Sequence, residues 1–276
     1  MNYINIRNVP HYYQWIPNQP NGNKPVMVFI HGWGGSARYW ESTAIALSDK
    51  FDCLLYDLRG FGRSNKSLNN SLGYELETYA DDLAIFLETL RLEKVYINAH
   101  SMGASMATFF LNRYPEKVEK AILTCSGIFT YNEQEFKAFY QFGGYVVKFR
   151  PRWLTQIPFM DTIFMARFLH RTLPSKISTA FLEDFILADY DAALGTIFTA
   201  VSKKATEIMP LEFAQIKIPT LLISGYYDKI IPADMGKQAS ELNTLLEFKV
   251  IPNTAHFPML EDEETYLQEI MRFINI

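Results

Sequence analysis

Apolar runs of strand length alternate with segments of helical spacing along most of this chain. "KPVMVFIHG" (24–32), "FDCLLYDLRG" (51–60), "KVYINAH" (94–100), "KVEKAILTCSG" (117–127), "KIPTLLISG" (217–225) and "LLEFKVIPN" (245–253) read as strands. Between them, "ARYWESTAIALSD" (37–49), "ETYADDLAIFLETLRL" (77–92), "SMGASMATFFLNRYP" (101–115) and the final "EETYLQEIMRFINI" (263–276) place apolar residues on one helical face. In the second of these, Leu83, Phe86, Leu87 and Leu90 share that face. Runs such as "VMVFI" and "TLLIS" are nearly continuous in apolar residues, as expected of strands buried on both faces. A β-α-β-α rhythm of this kind predicts an α/β fold with a mostly parallel central sheet and helices on both faces.

The rhythm breaks between Gly127 and Ile216. That stretch has helical character, no clean strand and many aromatics, which predicts a helical cap inserted over one end of the sheet. The expected organisation is a core of residues 1–127 and 217–276 with a cap of 128–216.

Chemistry enters at "NAHSMGAS", where Ser101 follows a strand and opens a helix. A serine in that place is also how an ordinary helix N-cap reads. A nucleophile elbow requires small neighbours, because strand and helix meet at a sharp turn. Ala99, Gly103 and Ala104 meet that need, with Ala99 standing where glycine is usual.

Three further pieces give Ser101 a context. "HGWGGS" (31–36) follows a strand; its glycines allow close backbone approach, and the N–H groups of Trp33 and Met102 are candidates for an oxyanion hole. No Gly-Lys-Ser/Thr step follows, so this is not a phosphate loop. Asp228 lies in "SGYYDKIIP" and His256 in "NTAHFPMLED", both just past strands, where parallel sheets place function. The order Ser101, Asp228, His256 fits a Ser–Asp–His triad. Glu261 and Asp262 are read as acids opening the last helix, His100 and His31 as structural, and Asp57, Arg59 and Arg63 of "DLRGFGRS" as a loop brace.

On "HGWGGS", "DLRGFGRS", "AHSMGA", "GYYDKIIP" and "TAHFPMLE", the chain resembles the α/β-hydrolase superfamily, in its serine esterase and lipase-like branch with a helical cap. The "HGWG" and "HSMG" pieces look most like small carboxylesterases and the acyl-ester hydrolases of the biotin pathway. The resemblance implies the α/β-hydrolase fold and carboxylic ester hydrolysis through an acyl-enzyme on Ser101. Serine at the elbow argues against haloalkane dehalogenases and epoxide hydrolases, which use aspartate. Carbon–carbon bond hydrolases, thioesterases, perhydrolases, hydroxynitrile lyases and ligand receptors on the same fold stay open. Trp33, Phe129, Phe139, Phe142, Phe164, Phe168 and Phe257 are the expected substrate contacts. No cofactor is required, and the scattered histidines and cysteines show no familiar metal spacing.

Net charge is −4, which sets nucleic acid aside as a partner. The two cysteines, Cys53 and Cys125, sit in apolar runs and read as buried thiols of a reducing compartment. The N-terminus lacks a secretory pattern, and no apolar run reaches the ~18 residues of a membrane span. The expectation is a cytoplasmic protein acting on a small ester, with oligomeric state left unassigned. One local feature runs against the overall charge. Between Phe136 and Leu182 there are seven basic residues and one acid, Asp161, interleaved with aromatics. Such a surface suits transient contact with an anionic membrane, or a solvated face over an aromatic pocket.

Overall fold

The computed structural model describes residues 2–20, 22–66, 72–130 and 132–275, without the side chains of Glu135, Phe139 and Phe142. The six apolar runs form β3 (Val26–Ile30), β4 (Asp52–Tyr56), β5 (Val95–His100), β6 (Val118–Thr124), β7 (Thr220–Gly225) and β8 (Leu246–Ile251). They are preceded by β1 (Tyr3–Ile6) and β2 (Val9–Ile16). The eight strands make one sheet in the order β1-β2-β4-β3-β5-β6-β7-β8. All pairings from β4 through β8 are parallel, whereas β1–β2 and β2–β4 are antiparallel.

Period-two alternation divides the strand side chains between two apolar cores. Val28, Ile30, Leu54 and Ile97 point to one face, and Met27, Phe29, Cys53 and Leu55 to the other. The helices covering these faces are α1 (Glu41–Leu47), α2 (Leu76–Thr89) and α3 (Met102–Arg113) early in the chain. The region between β6 and β7 supplies α4 (Glu133–Lys148), α5 (Met160–Met165), α6 (Ser175–Leu187), α7 (Tyr190–Ala200) and α8 (Lys203–Gln215). The chain closes with α9 (Ala233–Ser240), α10 (Pro258–Glu261) and α11 (Glu263–Ile274). The result is a predominantly parallel sheet flanked by helices on both faces, with an inserted helical region.

Specific polar contacts tie that insertion to the core. The Arg38 guanidinium donates to both Asp184 carboxylate oxygens, at 2.6 and 3.2 Å, and the Ser36 hydroxyl donates to the same group at 2.6 Å. The indole N–H of Trp33 donates to the Ala193 carbonyl at 2.9 Å, and the Asp189 N–H to the Gly60 carbonyl at 2.8 Å. These contacts set the insertion over the C-terminal ends of the parallel strands, where the loops bearing Ser101, Asp228 and His256 converge.

Candidate active site

Ser101 holds a conformation that few residues adopt. Its φ of 54° and ψ of −123° put a non-glycine residue in a strained region, which costs on the order of 1–3 kcal/mol. The neighbourhood over-determines it. The Ser101 N–H donates to the Thr124 carbonyl at 2.8 Å, and the Ser101 carbonyl accepts the N–H groups of Ala104 and Ser105 at 2.9 and 3.0 Å. At Gly103 an added Cβ would fall 2.3 Å from the His31 carbonyl oxygen, so strand and helix pack closely only with glycine there. Ala99, in place of the usual glycine, fits fully buried between β3 and β6.

This elbow presents the Ser101 hydroxyl to His256. Ser101 Oγ lies 3.0 Å from His256 Nε2, and His256 Nδ1 lies 2.8 Å from Asp228 Oδ2. An ionised carboxylate only accepts, so Nδ1 bears the proton and Nε2 is left to accept from the hydroxyl. The other oxygen of Asp228 accepts the N–H groups of Ile230 and Ile231, at 2.8 and 3.1 Å. Burial pushes the Asp228 carboxyl upward. The charge and hydrogen bond of His256 and those two N–H groups outweigh it, so the carboxyl sits below its ordinary range.

A relay of buried groups joins this triad to the glycine loop. The Gly32 N–H donates to the Tyr39 oxygen, whose hydroxyl donates to His100 Nδ1 at 2.9 Å; His100 Nε2 then donates to the His256 carbonyl at 2.7 Å. Burial, followed by the neighbouring His256 charge, holds His100 well below the usual histidine range, so it is a neutral strut. His31 bonds backbone, as expected: Nδ1 donates to the Gly32 carbonyl at 2.8 Å and Nε2 accepts the Leu58 N–H at 2.9 Å. The glycine loop abuts the nucleophile, since a Cβ on Gly32 would fall 3.0 Å from Ser101 Cβ. Among the described residues, neither the Trp33 nor the Met102 N–H is bonded to a protein acceptor. Met102 is the first residue of α3, where N–H groups have no intrahelical partner.

Two assignments from sequence need correction. Glu261 does not simply open the last helix; Asp262 caps α11, while Glu261 is buried and organises the histidine loop. One of its oxygens accepts the N–H groups of Ala255 and Phe257, on either side of His256, at 2.8 and 3.3 Å. The other accepts those of His170 and Arg171, at 2.6 and 2.8 Å. The second correction concerns the brace. Asp57 and Arg63 do pair, at 2.7 Å, and Arg59 does tie backbone, donating to the Gly73 carbonyl at 2.9 Å, but its acid partner is Asp82 of α2, at 3.0 Å, beneath the Tyr79 ring. Nothing in the local sequence marks the Arg38–Asp184 clamp, whose partners lie far apart in the chain.

The expected substrate contacts distribute unevenly. Phe168 faces the triad, with its ring 6.1 Å from that of His256, and Phe164 lies 5.9 Å behind it. Trp33 packs on Phe185 at 5.5 Å, and Phe185 on Phe164 at 4.8 Å. Phe164 and Phe185 also line an open apolar cavity of about 330 Å³ with Tyr145, Phe149, Leu154 and Met160. Two rings, Phe164 on the cavity wall and Phe168 beside His256, therefore stand between this cavity and the triad. Phe257 is buried against Phe181 and His100, and Phe129 is half-buried after β6. The side chains of Phe139 and Phe142 lie outside the described residues.

One group of ligand-type side chains, His100, Cys125 and His256, gathers within 4.8 Å among the described residues. All four imidazole nitrogens are already hydrogen-bonded, and burial pushes the Cys125 thiol well up. Its atoms suit a structural cluster better than a metal centre.

The alpha/beta hydrolase fold family matches residues 25–263, and the chain belongs to it. The AB hydrolase superfamily protein YisY of Bacillus subtilis is 26% identical over 267 residues, covering 92% of this chain and 93% of that one. Among solved structures, the esterase EaEST of Exiguobacterium antarcticum superposes with a TM-score of 0.82 at 19% identity, covering 100% of this chain and 99% of the other. A bromoperoxidase of Bacillus anthracis does so at 0.81 and 23%, covering 97% and 96%. At these identities the likeness shows the fold, and reactions with different names share it.

Proposed function

We propose that this chain hydrolyses carboxylic esters with an apolar acyl or alcohol group, through an acyl-enzyme on Ser101. The observation behind this reading is the hydrogen-bonded series Ser101–His256–Asp228, at 3.0 and 2.8 Å, built on a strained elbow. His256 Nε2 takes the hydroxyl proton as Ser101 Oγ attacks the ester carbonyl. Asp228 fixes the imidazole tautomer and stabilises the imidazolium. The N–H groups of Trp33 and Met102 receive the oxyanion, each donor contributing roughly 3 kcal/mol to transition-state stabilisation. His256 then protonates the departing alcohol, and water repeats the sequence to release the acid.

In this reading, residues 128–216 are the cap and select the substrate. The cavity behind Phe164 takes the apolar chain, while Phe168 and Trp33 line the approach to Ser101. Two buried free thiols support a reducing, cytoplasmic setting. No described helix is long and apolar enough to cross a membrane. An ester with an apolar chain partitions into bilayers, however, and the basic face of the cap is suited to meet anionic lipid.

A panel of p-nitrophenyl esters graded by acyl length tests the assignment. Sustained turnover that disappears in Ser101→Ala supports the enzyme. One equivalent of nitrophenol released without turnover supports a ligand receptor instead.

A further inference from the structure

The insertion leaves a group of large apolar side chains outside the core. Tyr145, Phe149, Trp153, Phe159 and Ile163 are between 51 and 77% exposed, all within residues 145–163. Scattered exposed apolar residues need no explanation, but a cluster of this size marks an interaction surface. Phe149 and Trp153 pack edge to face at 6.3 Å, so they form a joint feature rather than separate points.

The exposed group lies within the longer stretch, 136–182, that bears the charge excess noted in the sequence, and the structure divides those cations. Arg150 turns inward, donating to the Val147 and Phe185 carbonyls, both at 2.7 Å. Arg171 is held by Asp262 at 3.6 Å and by the Glu261 carbonyl at 3.0 Å. Lys148, Arg152 and Arg167 remain exposed, next in sequence to or within a turn of the exposed apolar residues Phe149, Trp153 and Ile163, and pair with no acid among the described residues. The local acid, Asp161, accepts the hydroxyls of Ser175 and Thr179, both at 3.1 Å.

We propose that this face docks on an anionic bilayer, with Trp153, Phe159 and Ile163 inserted at the headgroup boundary and Lys148, Arg152 and Arg167 against lipid phosphates. Aromatic side chains beside cations fit that boundary, where rings enter the acyl layer and charges stay with the headgroups. A second copy of the chain fits less well. A twofold contact would bring two sets of these three unpaired cations, and no matching acids, into one interface.

The surface also leads to the cavity. Tyr145 and Phe149 belong both to the exposed cluster and to the cavity wall, whose far side is Phe164 and Phe185. An apolar chain leaving the bilayer thus passes into the cavity over continuous apolar surface. The docking itself stands apart from the ester-hydrolase reading; only this supply route rests on it.

Sedimentation of the full Ser101→Ala chain with vesicles separates the two ideas, since that variant binds whether or not the catalytic reading holds. Vesicles of phosphatidylcholine containing phosphatidylglycerol are compared with phosphatidylcholine alone. The expected result is sedimentation with the anionic vesicles at low salt, weakened by added salt. Arg152→Gln and Arg167→Gln each lower the affinity about fivefold, and Trp153→Ser with Phe159→Ser lowers it about tenfold or more. In the otherwise wild-type chain, the same serine pair leaves turnover of a short soluble ester unchanged, because neither residue lines the cavity or touches the triad. Absence of binding to anionic vesicles overturns the proposal. So does undiminished binding by the serine pair. A dimer in sedimentation velocity that the serine pair dissolves, without vesicle binding, assigns the face to a second copy and overturns it too.

Discussion

The backbone N–H of His256 donates to the carbonyl of Phe168 at 2.9 Å. The imidazole that would move the proton is therefore suspended from the insertion as well as from the core. Glu261 strengthens this junction, because its carboxylate binds two N–H groups of the histidine loop and two of residues 170–171.

Glu261→Gln is therefore expected to be damaging, although sequence position alone suggests a harmless helix-start acid. The amide exchanges an acceptor oxygen for a donor aimed at N–H groups, leaving buried donors unpaired at a cost of about 1–3 kcal/mol. We expect kcat on a short ester to fall ~10–100-fold as His256 loses its position, with a lowered Tm. Wild-type turnover in the variant would remove Glu261 from the account.

Asp228→Asn is expected to lower kcat by about 10³–10⁴, because an amide no longer enforces the tautomer with the proton on Nδ1. The fold should survive, since the carbonyl oxygen of the introduced amide can still accept the Ile230 and Ile231 N–H groups. Circular dichroism and single-turnover kinetics on one preparation check both halves.

The Arg38–Asp184 clamp is expected to contribute stability rather than chemistry. Burial pushes the Asp184 carboxyl above its ordinary range despite the bonds from Arg38 and Ser36. Arg38→Met leaves that group without its cation and should cost about 2 kcal/mol, after allowing for the partial exposure of Arg38, or about 4–8 °C in Tm. Adding Asp184→Asn should recover most of the loss. Failure of the second change to help would show that the clamp acts through packing.

Acid sensitivity should come in part from His11. It is buried, stacks on Tyr56 with ring centroids 5.7 Å apart, and burial lowers its pKa to about 4. Below pH 6.5 the unfolded chain binds a proton that folded His11 refuses, so stability falls with pH until about 4 and then levels. The contribution at pH 4.5 is on the order of 2 kcal/mol. Urea midpoints measured from pH 7.5 to 4.5 should fall less steeply in His11→Phe than in the wild type. Parallel slopes would clear His11 of this role.

Much of this was legible because local rules and global fold agree. Near-continuous apolar runs such as 220–224 admit few places besides a buried parallel strand. Ser101, flanked by Ala99 and Gly103 between a strand and a helix, reads as an elbow from eight residues. The antiparallel β1–β2 pair was not anticipated. Val9–Ile16 mixes Pro10, His11 and Gln14 with aromatics on a strand that stays half exposed, so neither a clean alternation nor an apolar run appears. Glu261 and Asp184 were misread or missed for a different reason. The partners that tie each to the other part of the molecule lie about ninety and 146 positions away, and no spacing rule encodes such a contact. The exposed ring cluster was hidden as well, since the sequence shows aromatics in the insertion but not which of them remain outside.

Labelling by a fluorophosphonate, followed by intact-protein and peptide mass spectrometry, shows whether Ser101 is the nucleophile. A strained serine whose hydroxyl hydrogen-bonds a buried His–Asp pair should react once per chain, on the peptide containing Ser101, with loss of esterase activity in proportion. Ser101→Ala should take up no label and show no turnover. Label on another residue, or an unlabelled chain that still hydrolyses esters, would rule out Ser101 as the nucleophile.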